Sequence, residues 1–332
     1  MQAPSFWFKK DWRAWLLWPF SCLFYALTLI RRALYQGHYC QSYKASLPVI
    51  IIGNITVGGS GKTPLVIVVA NHLKQQGWSP GIISRGYKSK APSYPYHVTS
   101  DSPVEYAGDE PLLIVQQTGC PLIIDPRRVR AVKQLEQLKT VDIILSDDGL
   151  QHYALARNIE IVVMNKDHPR GNGYLLPAGL LREPLKRLEE ATMIIQPHDA
   201  PLLAGLSVPV FSFHIAPEHF VEISSGQKLP LSAFSGQRVH AIAGIGQPER
   251  FFALLRCLDI DYIPHVFSDH HRYTASSFSF LTDNTLPVLM TEKDAVKCMP
   301  YLPSAYYLRI SLLPSAAFYT FLRNAISCLR GI

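Results

Sequence analysis

Paired cysteines are missing from this chain. Its 332 residues include six, at positions 22, 40, 120, 257, 298 and 328, and no two sit at the C-x-x-C spacing of a metal or redox pair. Isolated cysteines in a long chain read as reduced, buried small hydrophobes, which sets a cytoplasmic expectation. Charge is scarce as well. Charged residues make up 17% against 48% hydrophobic, where about a quarter is usual. The remaining balance of +7 favours anionic partners or is a modest surface excess. An uninterrupted membrane span is also lacking. Trp15 to Ile30 is uncharged but holds sixteen residues, broken by Pro19 and Ser21, where a span needs about 20. Arg31 and Arg32 follow it where a signal peptide would carry small residues. There is no internal repeat and no low-complexity tail.

What the N-terminal segment does have is Trp7, Trp12, Trp15 and Trp18 at its leading edge. Lys9, Lys10 and Arg13 precede the apolar run, and Arg31 and Arg32 follow it. Aromatic rings at headgroup level with basic flanks describe a membrane-interface helix, against the alternatives of a buried first helix or a single span. Beyond it, apolar strands alternate with amphipathic helices. Strands are expected at 47–52, 81–84, 122–124, 142–146 and 159–164, and helices near 63–76, from 110 and over 127–138. The 85–108 loop is too long to be a mere connection. This alternation predicts an α/β fold, a parallel sheet covered on both faces. A Pro- and Gly-rich stretch at 197–209 marks a boundary, and segments near 208–214 and 221–223 suggest a small linking sheet. Strands at 239–243, 262–266, 288–291 and 306–308 then predict a second, smaller α/β domain.

The strongest chemical signal is Thr56-Val57-Gly58-Gly59-Ser60-Gly61-Lys62-Thr63, between a strand and a helix. Glycines let backbone N–H groups approach phosphate oxygens at a helix N-terminus. Lys62 would reach the β- and γ-phosphates of ATP, and the Thr63 hydroxyl would ligate Mg²⁺. Thr56 stands where the general P-loop pattern has Gly. Asp147 and Asp148 follow an apolar strand, where P-loop proteins hold Mg²⁺. Asp109-Glu110 opens a helix, which taken alone is an ordinary acidic helix start. Asp269-His270-His271 lacks further metal ligands at normal spacing and reads better as part of a proton-transfer pair. Asn165-Lys166-Asp167 misses the guanine-reading N-K-x-D, because Asp comes one place early and His168 takes its position.

Together these blocks resemble the tetraacyldisaccharide 4′-kinase family. The resemblance rests on Asn54 to Pro64, Ser84-Arg85-Gly86-Tyr87, Gly108-Asp109-Glu110-Pro111 and Asp147-Asp148-Gly149-Leu150-Gln151-His152. It extends through Leu176-Pro177-Ala178-Gly179, Leu181-Arg182-Glu183-Pro184, Asp269-His270 and Thr291 to Lys297, in the family's order. Leu180 stands where Pro is expected. The resemblance implies γ-phosphoryl transfer from ATP to the 4′-hydroxyl of a lipid-linked disaccharide, at the cytoplasmic face of the inner membrane. Nucleic acid and an obligate protein partner are not expected. It implies Asp109 as general base paired with His270, and Lys62 as phosphate neutraliser. Thr63, Glu110 and Asp147 would surround Mg²⁺. Asn54, Arg85, Tyr87, Asp148, Gln151, His152, Arg182 and Glu183 would line the acceptor site. The corresponding organisation is a helix over 1–36, a P-loop domain over 37–206, a β linker over 207–237 and a smaller domain over 238–332.

Overall fold

The computed structural model describes residues 4–9, 11–58, 61–166, 169–201, 205–281 and 286–329. The chain enters through α1 (Trp12–Gln36), capped by Asp11, whose carboxylate accepts from the backbone N–H groups of Arg13 and Ala14. Only Ala14, Ser21 and Arg32 of this helix are buried. At 100° per residue these three return to nearly one azimuth, so the helix touches the body along a single line. Trp12, Trp15, Leu16, Phe20, Leu23 and Leu27 point outward, each more than half exposed. A buried first helix is thereby excluded. Among the described residues this helix alone is long and apolar enough to cross a membrane.

The larger half is built from short β-branched strands and amphipathic helices. It comprises β1 (Val49–Gly53), α2 (Lys62–Gln75), β2 (Pro80–Ser84), β3 (Tyr96–Val98), α3 (Val104–Ala107) and α4 (Asp109–Thr118). It continues with β4 (Leu122–Ile124), α5 (Arg128–Gln137), β5 (Ile143–Asp147), β6 (Ile159–Val163) and β7 (Met193–Pro197). β1, β2, β5 and β6 are buried along their whole length, as strands of a parallel sheet covered on both faces must be. β3 and α3 fall inside the expected long loop, and β7 adds a strand to those expected. One face packs Leu65, Val69 and Leu73 of α2 and Ile114 of α4 against Ile50 and Ile52. The other packs Ala131, Val132 and Leu135 of α5 against Val49 and Ile51.

The separate segments expected near 208–214 and 221–223 are one strand, β8 (Val210–Glu222), flanked by the short β9 (Lys228–Leu229). After it come β10 (Arg238–Ala243), α6 (Pro248–Cys257), β11 (Asp261–Val266), β12 (Val288–Thr291), α7 (Glu292–Cys298), β13 (Tyr306–Pro314) and α8 (Ala316–Ser327). All strands join one sheet in the order β11-β10-β12-β13-β8-β7-β6-β1-β5-β2-β4-β3, with β9 on β8. β8 pairs in parallel with β7 through residues 210–213, then antiparallel with β13 through 213–222. The smaller parallel run therefore points back, and the carboxyl ends of the two runs face each other. α8 returns to the larger half, where Phe318, Leu322 and Ile326 join the α2 core.

Candidate active site

The cleft between those facing strand ends gathers the chemistry. On one side β1 runs into the loop 54–61 and then α2. Gly53 is needed because a Cβ there would meet Leu150 Cβ at 2.7 Å, and Gly61 takes φ +85° to turn the loop into the helix. The loop's start is pinned to the 180–182 segment, with Val57 N–H donating to Leu180 O at 2.8 Å and Arg182 N–H to Ile55 O at 2.7 Å. Asn54 and Thr56 are buried, Val57 half-buried and Gly58 exposed; Gly59 and Ser60 lie outside the described residues. Lys62 and Thr63 form the first turn of α2, both half-buried. Lys62 Nζ lies 3.5 Å from Asp148 Oδ1.

At the end of β5, Asp147 is 2% exposed and accepts from Ser84 Oγ at 3.1 Å, while its Oδ1 has no partner. Burial, with the charges of Glu110 and Asp148 adding to it, pushes its pKa up to about 7 against the pull of Lys62. Asp148 holds φ +48°, an uncommon left-handed conformation for a residue with a side chain. It is fixed by Arg182 at 3.1–3.2 Å. Gln151 Nε2 donates to Asn54 O at 3.0 Å and to Glu183 Oε2 at 3.1 Å, and the Tyr153 hydroxyl donates to Glu183 as well. His152 is held down at about 4 by burial and by Arg128, Arg157, Arg31 and Arg85, so its ring is neutral. Arg128 reaches the carbonyl oxygens of Asp147 and Asp148 at 3.5 and 3.2 Å.

Facing this cluster, Asp109 opens α4 and meets His270, which follows β11 in the other half of the sheet. His270 Nδ1 lies 2.9 and 3.0 Å from the two Asp109 oxygens. Lys293 of α7 approaches His270 Nε2 at 3.3 Å. An ammonium can only donate, so in the neutral imidazole Nε2 accepts and Nδ1–H donates to Asp109. Burial raises the Asp109 pKa, but His270, Lys293 and Lys297 outweigh it and hold the carboxyl at about 2. His270 has φ +58°, a second left-handed side-chain-bearing residue, and Tyr87 stands edge-on to its ring at 5.5 Å. Lys293 also pairs with Glu110 at 3.1 Å and Asp269 at 3.3 Å. Asp294, fully buried, accepts from Gly244 N–H at 2.8 Å, the Tyr273 hydroxyl at 3.0 Å and the Thr291 hydroxyl at 2.6 Å.

The structure thus forms two clusters from the expected residues. Asn54, Thr56, Lys62, Asp147, Asp148, Gln151, Arg182 and Glu183 make one; Tyr87, Asp109, Glu110 and His270 make the other. Glu110 reaches between them through its field on Asp147. Arg85 is exposed and acts on this region through its charge. Ser84, Lys293, Asp294 and Lys297 lie in the same region; they stand in the Ser84–Tyr87 and Thr291–Lys297 blocks of the resemblance but carried no role there, and Arg128 lay in no block. Lys293 and Lys297 are four residues apart on one helix face, a spacing that adds a local signal to that block.

A strand–loop–helix P-loop with its lysine at the helix start, facing a carboxylate–histidine pair, defines a P-loop phosphotransferase. Comparison with known proteins gives the family. A family model described as Tetraacyldisaccharide-1-P 4'-kinase matches residues 13–327, and the chain belongs to that family. Among its relatives, the tetraacyldisaccharide 4'-kinase of Stutzerimonas stutzeri is 43% identical, covering 97% of this chain and 95% of its own. That of Pseudomonas entomophila is 46% identical over 91% and 89%. The crystal structure of an LpxK from Aquifex aeolicus in complex with ATP superposes with a TM-score of 0.80 at 27% identity, covering 94% of this chain and 99% of that one.

Proposed function

We propose that the chain transfers the γ-phosphoryl group of ATP to the 4′-hydroxyl of a tetraacylated disaccharide 1-phosphate, working at the cytoplasmic face of the inner membrane. The observation that carries this reading is the Asp109–His270 pair, contributed by both halves of the sheet and facing the P-loop end of α2. A sugar hydroxyl is a poor nucleophile, and a carboxylate within hydrogen-bond reach makes it a better one. Asp109, held ionised, takes the 4′-hydroxyl proton as oxygen bonds to the γ-phosphorus. The bond from that phosphorus to the β,γ-bridging oxygen breaks, and ADP carries away the electron pair. His270 keeps the carboxylate oriented through Nδ1–H. Lys62, released from Asp148, neutralises charge on the transferring group, commonly the larger contribution.

The donor set fits Mg²⁺. Asp147 presents a buried oxygen with no partner, and the crowding of Asp147, Asp148 and Glu110 calls for a cation. Asp147, Glu110 and the Thr63 hydroxyl would hold it, and the ion would neutralise β- and γ-phosphate oxygens. Among the described residues no three acidic or imidazole groups are close enough to bind a metal alone, so phosphate oxygens and water would complete the shell. Asn54, Arg85, Tyr87, Gln151, His152, Arg182 and Glu183 line the acceptor side. α1 is the feature that favours a lipid-linked acceptor over a soluble sugar, since its apolar face can rest in the bilayer that holds the acyl chains.

The test is radiolabel transfer from [γ-³²P]ATP to tetraacyldisaccharide 1-phosphate by purified protein, alongside Lys62→Ala. We expect label in the lipid and a loss in the variant of at least about a thousandfold in kcat. Near-normal turnover by a folded Lys62→Ala would remove the P-loop from the mechanism.

A further inference from the structure

Six charges, three of each sign, form a chain of ion pairs from α1 into the acceptor side of the cleft. It begins at Arg32, whose guanidinium is 10% exposed and grips both oxygens of Glu190, the longer contact being 2.6 Å. Glu190 also lies 3.9 Å from Arg187. Arg187 is 2% exposed, contacts both oxygens of Glu160 at 2.6 Å and stands 3.9 Å from Glu183. Glu160 holds Arg157 at 2.8 Å. Arg157 in turn donates to the carbonyl oxygens of Leu150 at 3.1 Å and His152 at 2.7 Å. Those two carbonyls bracket Gln151, in the loop that begins at Asp148. At the other branch, Glu183 fixes Gln151 and Tyr153. The Tyr35 ring of α1 stands 6.1 Å from that of Tyr153.

Removing water from so many charges is costly, so a buried ion network is weak evidence of a stabilising role. A cluster of apolar side chains would dock α1 at lower cost. Instead, one of only three buried residues on this helix is an arginine at the head of the chain. We propose that Arg32, through Glu190, Arg187, Glu160 and Arg157, is a positioning residue for the acceptor: α1 seated on its contact line sets the 148–153 loop and Glu183 in the geometry that receives the disaccharide. α1 is then part of the acceptor site as well as an anchor. This rests on the acceptor-side reading of Gln151 and Glu183 given above.

The test uses the full chain with tetraacyldisaccharide 1-phosphate in mixed micelles, comparing wild type, Arg32→Gln, and the exchange Arg32→Glu with Glu190→Arg. For Arg32→Gln we expect acceptor kcat/KM to fall about tenfold, as misplacement by a fraction of an ångström does. The KM for ATP and sedimentation with anionic vesicles should stay as in wild type, and the charge exchange should restore most of the loss. Glu190→Gln, altered at the half-exposed end of the pair, repeats the measurement if Arg32→Gln does not fold. Unchanged acceptor kinetics would overturn the proposal. So would a loss that tracks vesicle binding, which would make α1 an anchor only. If wild type itself fails to phosphorylate the disaccharide, the function reading fails before any variant is compared.

Discussion

Two carboxylates in this cleft, Asp109 and Asp147, are pushed in opposite directions. Asp109 is held at about 2, so it is ionised throughout the neutral range. Its folded pKa is depressed, so the stability it contributes is complete above about 4 and is lost as pH falls through about 2. Asp147 is raised to about 7. Between its unfolded value near 4 and about 7 the folded protein binds the extra proton, so stability falls as pH rises across that window. Asp147→Asn removes the buried charge. In nucleotide-free protein it should be more stable than wild type at about pH 8 and nearly equal near pH 4. Denaturant melts at the two pH values check this, and a wild type more stable than the variant at the higher pH would sink it. The same substitution should abolish phosphoryl transfer, because a neutral amide is a poor magnesium ligand.

Short elements carry much of the chemistry here. α7 has seven residues, yet it supplies Lys293 and Lys297 to Asp109 and buries Asp294 beneath them. Asp294→Ala would strand the Gly244 N–H and the Tyr273 and Thr291 hydroxyls, at a cost of about 3 kcal/mol. Lys293→Met keeps the length of the side chain and removes its charge. Its kcat should fall between about tenfold and a hundredfold, with nucleotide affinity within about twofold. Unchanged turnover would show that His270 alone orders the base. The main strands and helices were legible in the sequence because apolar β-branched runs such as Val49 to Ile52 and the 3.6-residue period of α2 and α5 are local signals. The P-loop and the Asp147-Asp148 pair were legible for the same reason. The Thr291–Lys297 block was legible as well, but the role of Lys293 was not, because it gains its meaning from Glu110, 183 residues away. The continuity of β8 was hidden too. Its exposed and half-buried residues read as two fragments, and only pairing with β13 shows one strand.

At the scale of the whole molecule, Asp109, the proposed base, and its partner His270 come from different halves of one sheet. They are hydrogen-bonded in this structure, without any further closure. Asp109→Asn and His270→Ala should each cost kcat about a hundredfold or more while ATP still binds. The double variant should lose far less than the product of the single losses, since groups acting as a unit are non-additive. Multiplicative losses in folded, ATP-competent proteins would separate the two residues. The halves are also tied at a second place. Glu292 of α7 takes both Arg309 of β13 at 2.5 Å and Gln117 of α4 at 2.6 Å.

β8 passes from one half to the other as a single strand of thirteen residues, roughly 40 Å of chain. Its pairing with β13 slips by one residue between Arg309 and Ile310, opposite His219 and Pro217, which leaves Glu218 as the extra residue of a bulge. A shared strand of this kind works as a torsion spring. The halves cannot slide past each other without breaking a ladder of backbone hydrogen bonds, but they can twist where the bulge has already loosened it. We expect opening for ADP release to be an elastic rotation that leaves register intact. Amide exchange along β8 would report it: protection should be the same with and without nucleotide everywhere except around Glu218, and broad deprotection of the strand would mean that the joint melts instead of flexing.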